Sequence, residues 1–172
     1  MLGENTKDLE RLISRGACIS WSPKNLASSF LMWAIKWMVS NTQYKLFTAY
    51  SDPTAKELGT IYQACNFYYM GKNSGATARY INPYTEKLVS DRYFRQKTAY
   101  NTGMNWHNIP DDIEKKLRDY SKYKQNTSKK ILMPLKHKYA YVLGGSKKET
   151  KKLRTLYEQK NKVYTYPKDR GN

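Results

Sequence analysis

The 172-residue sequence predicts an α/β fold in which a mixed sheet is flanked by helices. Three observations lead to this prediction. Short β-prone segments alternate with helical patterns between about residues 16 and 71, 40% of the residues are apolar, and no apolar stretch is long enough to span a bilayer. Alternation of this kind is typical of a layer that contains at least some parallel strands.

The first predicted strand covers residues 16–21. Ser22-Pro23 offers a capping hydroxyl followed by a proline, which predicts a helix from there to about Ser40. The apolar residues of this helix recur at helical spacing, so we expect it to be mostly buried against a sheet. They are Leu26, Phe30, Trp33, Ala34, Trp37 and Met38. Trp33 and Trp37 are accordingly predicted to belong to the core.

A second strand and helix follow in the same way. Residues 45–50 predict a strand, and Asp52-Pro53 again combines a capping residue with a proline. The helix that it opens is predicted over 54–64, ending at Asn66, a residue type that tolerates the left-handed conformation of a helix end. Residues 67–71 then predict the third strand.

The remainder of the chain predicts further strands and one well-marked helix. Residues 77–82 and 86–90 are expected to form a hairpin, and residues 137–143 a strand. Ser146 with Glu149 has the spacing of a capping box, which predicts a helix directly after it. Residues 162–167 are predicted to close the chain as a last strand.

The charge is concentrated in one part of the sequence. Residues 1–71 contain 7 Lys/Arg and 5 Asp/Glu, whereas residues 72–172 contain 24 and 9, and the whole chain carries +17. A charge of this size favours a polyanionic partner, with nucleic acid first and an anionic membrane surface second, although lysines can also simply solubilise a surface. Within a single domain, we predict a near-neutral core and cofactor part over 1–71 and a basic, Tyr-rich part over 72–172 that faces the polyanion.

Cysteine and histidine are too sparse for two classes of site. Cys18 and Cys65 stand far apart, and so do His107 and His137, which argues against a disulfide scaffold and against a zinc site built from these residues. The first twelve residues contain no apolar run of the kind a secretory signal needs. We therefore expect a cytoplasmic protein that does not enter membranes.

Several motifs resemble known families. FTAYSDPTAKELGTIYQACNFYYMG (47–71) resembles the second half of the GNAT acyltransferase fold. YSDP, GTIYQA and NFYYMG within it are similar to the phage Mom family, as are ISR (13–15), residues 23–30, PLKHKYAYVL (134–143) and YPK (166–168). The resemblance runs in patches over residues 13–168, and GTIYQA preceded by SDP is its most specific part.

The resemblance implies a GNAT-fold enzyme, encoded by a phage, that carbamoylmethylates the exocyclic amine of adenine in DNA and so protects the DNA from restriction. It also implies acetyl-CoA as cofactor, an iron ion and double-stranded DNA as partner. Tyr62 would protonate the departing CoA thiolate, and Asp52 would orient or deprotonate the amine or ligate the metal. Ser28, with Ser29 as the alternative, would bond a phosphate of CoA or act in catalysis near the acyl group, and Arg15 would pair with a phosphate of the cofactor. Each role has a purely structural alternative. Tyr62 would only pack in the core, and Asp52 would only cap a helix. Ser28 would only begin a helix, and Arg15 would only form an ion pair at the surface.

The sequence departs from the family pattern at two places. The family has a further N-terminal segment of several strands and a helix, with a His-Tyr pair, so the sheet is expected to lack its first strands. The Gly-rich pyrophosphate loop that is usual in GNAT proteins is also absent, and only the helix start near residues 22–29 offers backbone N–H groups to a phosphate.

The basic part supplies candidate DNA contacts. Arg79, Arg92, Arg95 and Lys97 are predicted to contact backbone phosphates, an interaction that is independent of sequence and sensitive to salt. Two other functions stay open at this point. One is a GNAT acyltransferase for tRNA or a protein amine, and the other is a basic protein that binds DNA without catalysis.

Overall fold

The computed structural model describes residues 4–14, 21–72, 78–81, 86–90, 93, 115, 119 and 128–168. Its strands are β1 (Glu10–Ile13), β2 (Leu46–Ser51), β3 (Tyr68–Lys72), β4 (Ala78–Ile81), β5 (Leu88–Val89), β6 (Lys130–Leu132) and β7 (His137–Val142). Its α-helices are α1 (Leu26–Asn41), α2 (Thr60–Ala64) and α3 (Lys147–Lys160), and 3-10 turns cover Glu4–Leu9 and Pro53–Ala55. The predicted α/β class with a mixed sheet flanked by helices is confirmed.

The chain forms two compact units. The first combines Met1–Gly75 with Leu135–Asn172, and the second is Ala76–Pro134. The predicted charge boundary after Gly71 falls inside β3, and two elements of the basic part, β7 and α3, belong to the first unit. The charge asymmetry therefore does not coincide with the division into units, and the single-domain assignment stays a prediction.

The sheet of the first unit has the strand order β1-β2-β7-β3. β1 runs parallel to β2, whereas β7 is antiparallel to both β2 and β3. β2 and β3 therefore run in the same direction and are joined through α2, with the later strand β7 inserted between them. The predicted strands over 45–50, 67–71 and 137–143 are confirmed, while residues 16–20 of the first predicted strand lie outside the described part of the chain.

Both faces of this sheet are covered, so its central strands are apolar on both sides. On one face, Ile35 and Val39 of α1 belong to a buried cluster with Phe47, Phe67 and Tyr139. On the other face, Tyr157 of α3 packs with a second cluster, which contains Leu46, Met70, Ala140 and Val142. Successive strand residues alternate between the two clusters, as a pleated strand requires.

The first helix is much more exposed than its apolar sequence predicts. Trp33 and Trp37 are 60% and 51% exposed, so their assignment to the core is wrong. The buried residues of α1 are Ile35 and Val39, which are four residues apart, as the tryptophans are. Ile35 follows Trp33 by two residues, and Val39 follows Trp37 by two, which is a rotation of about 200° around a helix. The tryptophans therefore lie on the side of α1 opposite Ile35 and Val39, and only the latter side packs on the sheet. α1 also begins at Leu26 instead of Pro23, because Asn25 adopts a left-handed conformation with φ 66°.

The second predicted helix is broken into two short pieces. The 3-10 turn Pro53–Ala55 is separated from α2 by residues that include Lys56 and Gly59, whose φ angles are 55° and 69°. A continuous helix over 54–64 cannot contain such positive φ angles, so that prediction is wrong. The predicted left-handed residue at the end of α2 is confirmed by Asn66, with φ 57°.

The last helix follows its sequence signal closely. Ser146 Oγ accepts a hydrogen bond from the Glu149 N–H at 3.1 Å, and α3 begins at Lys147, which confirms the predicted cap. The Glu149 carboxylate reaches back to the Gly145 N–H at 2.7 Å. The final predicted strand is wrong, because only a single antiparallel bridge joins Tyr164 to Tyr69 there.

The second unit contains a three-stranded antiparallel sheet with the order β5-β4-β6. Tyr80 pairs with Val89 and Ile81 with Leu88, which confirms the predicted hairpin. Its connecting residues 82–85 lie outside the described part. In the described ranges of both units, no helix is long and apolar enough to cross a membrane.

Candidate functional site

Asp52 stands at the carboxyl end of β2, directly after Ser51. Its Oδ1 accepts hydrogen bonds from the backbone N–H and the hydroxyl of Thr54, at 2.9 and 2.6 Å. The capping role of Asp52 is thereby confirmed, although it caps only a 3-10 turn. Lys136 Nζ lies 3.9 Å from Oδ2. The carboxylate is therefore oriented by Thr54 and has a cation beside it.

Strand pairing brings His137 to the end of β2 that precedes Asp52. His137 is paired with Ser51 across β2 and β7, and directly opposed residues project from the same face of a sheet. Both residues are only 4% exposed. The Tyr69 hydroxyl and His137 Nδ1 lie 2.7 Å apart in a hydrogen bond. We call Ser51, Asp52, Tyr69 and His137 the polar strand end.

One polar atom of the polar strand end is buried without a partner. Ser51 Oγ makes no hydrogen bond, although its side chain is inaccessible to water. A buried hydroxyl in this state carries an uncompensated desolvation cost, and such groups are rare in folded proteins. A polar ligand atom that reached Ser51 Oγ would remove this cost.

Tyr62 connects to the polar strand end through two aromatic contacts. Its ring lies 5.3 Å from that of Tyr139, which lies 5.3 Å from that of Tyr69. Burial, with a smaller contribution from the nearby Glu57 carboxylate, raises the pKa of Tyr62 above its usual value. The hydroxyl is therefore protonated at neutral pH, as a proton donor must be. The packing role of Tyr62 is also real, since its ring contacts Phe67 as well.

Ser28 and Ser29 line a separate groove between α1 and α2. The groove has a volume of about 540 Å³ and is also lined by Lys36, Cys65 and Asn66. Ser28 Oγ donates a hydrogen bond to the Asn25 carbonyl at 3.0 Å, which leaves its lone pairs able to accept. The structure thus brings the two predicted cofactor serines together with a lysine, but neither Asp52 nor Tyr62 lines this groove.

A comparison with protein families gives a match over nearly the whole chain. The model described as the Mom protein family matches residues 4–168. The chain belongs to the Mom protein family. A search of curated proteins finds no match. Membership of the Mom family indicates a phage DNA modification protein.

The iron that the Mom resemblance implies does not fit Asp52 in the described residues. Oδ1 is already bonded to Thr54, and the Lys136 ammonium faces Oδ2, where a metal cation would be repelled. Across the ranges that the structure describes, no three His, Cys, Asp or Glu side chains come together as a metal site would require. The metal role of Asp52 remains a prediction, and we derive no chemical step from it.

Four other residues that were predicted to bind the cofactor or DNA are not described by the structure. Arg15, Arg92, Arg95 and Lys97 lie outside the described residues. Arg79 is described and lies half-buried in β4, the central strand of the second unit, opposite Ile131. Its role in DNA binding stays a prediction.

Sequence reasoning did not select three of the four residues at the polar strand end. Ser51 lies in YSDP, Tyr69 in NFYYMG and His137 in PLKHKYAYVL, three patches that resemble the Mom family, but none of the three was assigned a catalytic role. What connects them is the pairing of β2 with β7, strands more than 80 residues apart in sequence. A residue's cross-strand partner at such separation is not encoded in local pattern, so the motifs indicate the segments but not that these side chains come together.

The buried imidazole predicts a pH effect on stability. Burial, and then the Lys72 ammonium, lower the pKa of His137 below its usual value. Just below pH 6.5 the imidazole is therefore protonated in the unfolded chain but still neutral in the folded chain. The free energy of unfolding consequently decreases as the pH falls through this range. Between pH 7.5 and 5.5, the melting temperature of the wild type should fall more steeply than that of His137→Asn. Equal falls in thermal denaturation followed by circular dichroism would contradict the assignment.

Proposed function

We propose that this chain transfers a group, carbamoylmethyl by its family resemblance, to the N6 amine of adenine in DNA. The observation that carries the proposal is the Mom family match over residues 4–168. The polar strand end supports it, because it combines an oriented carboxylate, a buried imidazole and an unpartnered hydroxyl within one unit. The product would protect phage DNA from restriction.

Acetyl-CoA is proposed as the cofactor. Attack of the N6 amine on its thioester carbonyl would form the N–C bond, break the C–S bond and release CoA. The amide nitrogen of a carbamoylmethyl group is absent from acetyl-CoA and requires a separate nitrogen donor, so we assign only the acyl-transfer step to residues of this chain. Two features of the first unit support a GNAT-like arrangement for the cofactor. β2 and β3 run in the same direction and are joined by α2, and α1 lies beside α2 with a groove of about 540 Å³ between them. Ser28 and Ser29 would hold the cofactor there through their hydroxyls, and Lys36 would neutralise an anionic group.

Two residues would handle protons. The adenine amine loses a proton when it gains a substituent, and Asp52 is a fixed carboxylate that can accept it through one of its oxygens. Lys136 Nζ lies 3.9 Å from Oδ2, on the side of the carboxylate away from the oxygen that Thr54 holds. Tyr62 would donate a proton to the departing thiolate through its hydroxyl, which carries its proton at neutral pH.

Tyr62→Phe tests the proton-donor role. We expect about a tenfold loss of modified deoxyadenosine. The loss is limited because a thiol has a pKa of about 8.5, so the CoA thiolate can depart slowly even without a proton from Tyr62. The measurement is mass spectrometry of nucleosides from DNA of cells that express each variant. Tyr44→Phe is the matched control, since Tyr44 is also half-buried but lies before the opposite end of β2. Equal losses in the two variants would contradict the role of Tyr62.

The same assay separates the alternative functions. A GNAT acyltransferase for tRNA or a protein amine would leave the DNA nucleosides unchanged and modify one of those substrates. A basic protein that only binds DNA would modify neither and would still bind DNA with strong salt dependence. A new deoxyadenosine adduct, absent with the empty vector, would exclude both.

A further inference from the structure

A second, more strongly charged groove lies in the first unit, on the other side of Lys36. It has a volume of about 780 Å³ and runs between the C-terminal half of α1 and the start of α3. We call it the α1–α3 groove.

The lining of the α1–α3 groove is electropositive. Lys36, Lys147, Lys151 and Arg154 face a single acid, Glu158. That carboxylate is already engaged by the Tyr68 hydroxyl at 2.6 Å. The three lysines are exposed, and none of them forms an ion pair with a described residue. Lys147 also occupies the first turn of α3, where the helix dipole disfavours a cation unless an anion is bound nearby.

Arg154 is held in position for an anion. Its Nε donates to the Val142 carbonyl at 3.1 Å, and its guanidinium lies over the Tyr141 ring, 5.5 Å from the centroid. A guanidinium has five N–H donors, so four are left for another acceptor. Because the side chain is already ordered, little rotamer entropy is lost when an anion binds.

The α1–α3 groove is distinct from the polar strand end. Leu46 and Val142 form the paired residues at its end of the sheet, whereas Ser51 and His137 form the pair at the other end. Five residue steps separate them along β2, which is about 17 Å. A small substrate held at the polar strand end does not reach the groove, but a DNA duplex, which extends in both directions from the reacting base, can span this distance.

We propose that the α1–α3 groove binds the phosphate backbone of duplex DNA beside the base that is modified. The proposal rests on the proposed function for the identity of the polyanion. Lys36 lines both grooves and is assigned to the cofactor, which leaves Lys147, Lys151 and Arg154 to this groove alone. Three cations spread along one groove match the repeated charges of a backbone better than a single phosphate. Contacts of this kind position the protein without reading sequence, so they leave base recognition to other residues.

The chain offers a matched pair of variants for the test. Lys147→Glu with Lys151→Glu reverses two charges that line the groove, whereas Lys148→Glu with Lys152→Glu reverses two exposed charges on the same helix that do not. Both pairs have the same spacing, the same change in net charge, and one substitution in the first turn of α3, where an acid is favoured. Circular dichroism and melting temperature verify that both variants fold.

Binding is measured by fluorescence anisotropy with a 20-base-pair duplex over a series of salt concentrations. At about 100 mM salt we expect Kd to rise at least about tenfold for the groove variant and less than about threefold for the control. A plot of the logarithm of the association constant against the logarithm of the salt concentration has a negative slope. Its magnitude should become smaller by about 2 for the groove variant alone, about one unit for each lost phosphate contact. Equal changes in both variants, with wild-type binding intact, would overturn the groove assignment and leave the proposed function standing.

Two further outcomes separate the sources of the phosphate. If free CoA displaces the duplex and the groove variant loses affinity for CoA instead of DNA, the groove belongs to the cofactor and the proposal is overturned. If the wild type binds no duplex at any salt concentration, both the groove assignment and the proposed function fail.

Discussion

Asp52→Asn is expected to reduce the yield of modified deoxyadenosine at least about 100-fold, the largest loss that we predict for a single functional residue. The substitution keeps the size of the side chain and an oxygen that can accept from Thr54, and asparagine is as good a cap as aspartate. The fold around the 3-10 turn should therefore persist. What is lost is the negative charge, and with it the ability to accept a proton from the adenine amine.

The control for this variant is Asp8→Asn, the same substitution at an exposed position in the first 3-10 turn. Nucleoside mass spectrometry should give an unchanged yield for Asp8→Asn, and the melting temperatures of both variants should lie within about 2 °C of the wild type. If Asp52→Asn retains the wild-type yield, Asp52 is only a cap, and the proton acceptor must be sought elsewhere at the polar strand end.

The sequence predicts elements well where the signal is local. Ser146 and Glu149 lie three residues apart and define the start of α3 through their own hydrogen bonds. Asn66 ends α2 in the left-handed conformation that its side chain tolerates. In these cases the interacting groups are neighbours in the chain. A pattern of a few residues therefore suffices to predict where the helix begins or ends.

The errors concern features that depend on distant parts of the chain. The apolar spacing of α1 correctly predicts a helix, but it contains two apolar faces, and only the position of the sheet decides that Ile35 is buried and Trp33 is exposed. The break before α2 has a similar origin. Leu58 accepts hydrogen bonds from Tyr139 and Gln63, and this docking on β7 favours a turn where propensity alone favours a helix.

The candidate site shows the same division. Asp52 and Tyr62 were selected from a motif, because they lie ten residues apart in the segment 47–71 that carries the resemblance. His137 joins them only after β7 is inserted between β2 and β3. The site is therefore partly encoded in local sequence and partly created by topology, and the topological part includes its only buried imidazole among the described residues.

The loop before α2 links the stability of the fold to the polar strand end. Gly59 has φ 69°, and a Cβ placed on it would lie 2.5 Å from Tyr139 Cε2 and 3.1 Å from Ser51 Oγ. Tyr139 cannot easily move away, because it is fully buried and its hydroxyl is bonded to the Leu58 carbonyl. Any side chain at residue 59 therefore meets both a strained backbone angle and a packed ring.

Gly59→Ala is accordingly expected to destabilise the fold by about 2–4 kcal/mol, the sum of a left-handed alanine and an overpacked contact. For a chain of this length, that corresponds to a melting temperature lower by roughly 5–15 °C. Gly145→Ala is the control, because its φ is not positive and its Cβ would meet only the flexible end of Glu149, at 3.4 Å. Thermal denaturation in which both variants melt with the wild type would show that α2 and Tyr139 do not pack as described. A selective loss for Gly59→Ala would establish that this close approach holds α2, and with it Tyr62, against the polar strand end.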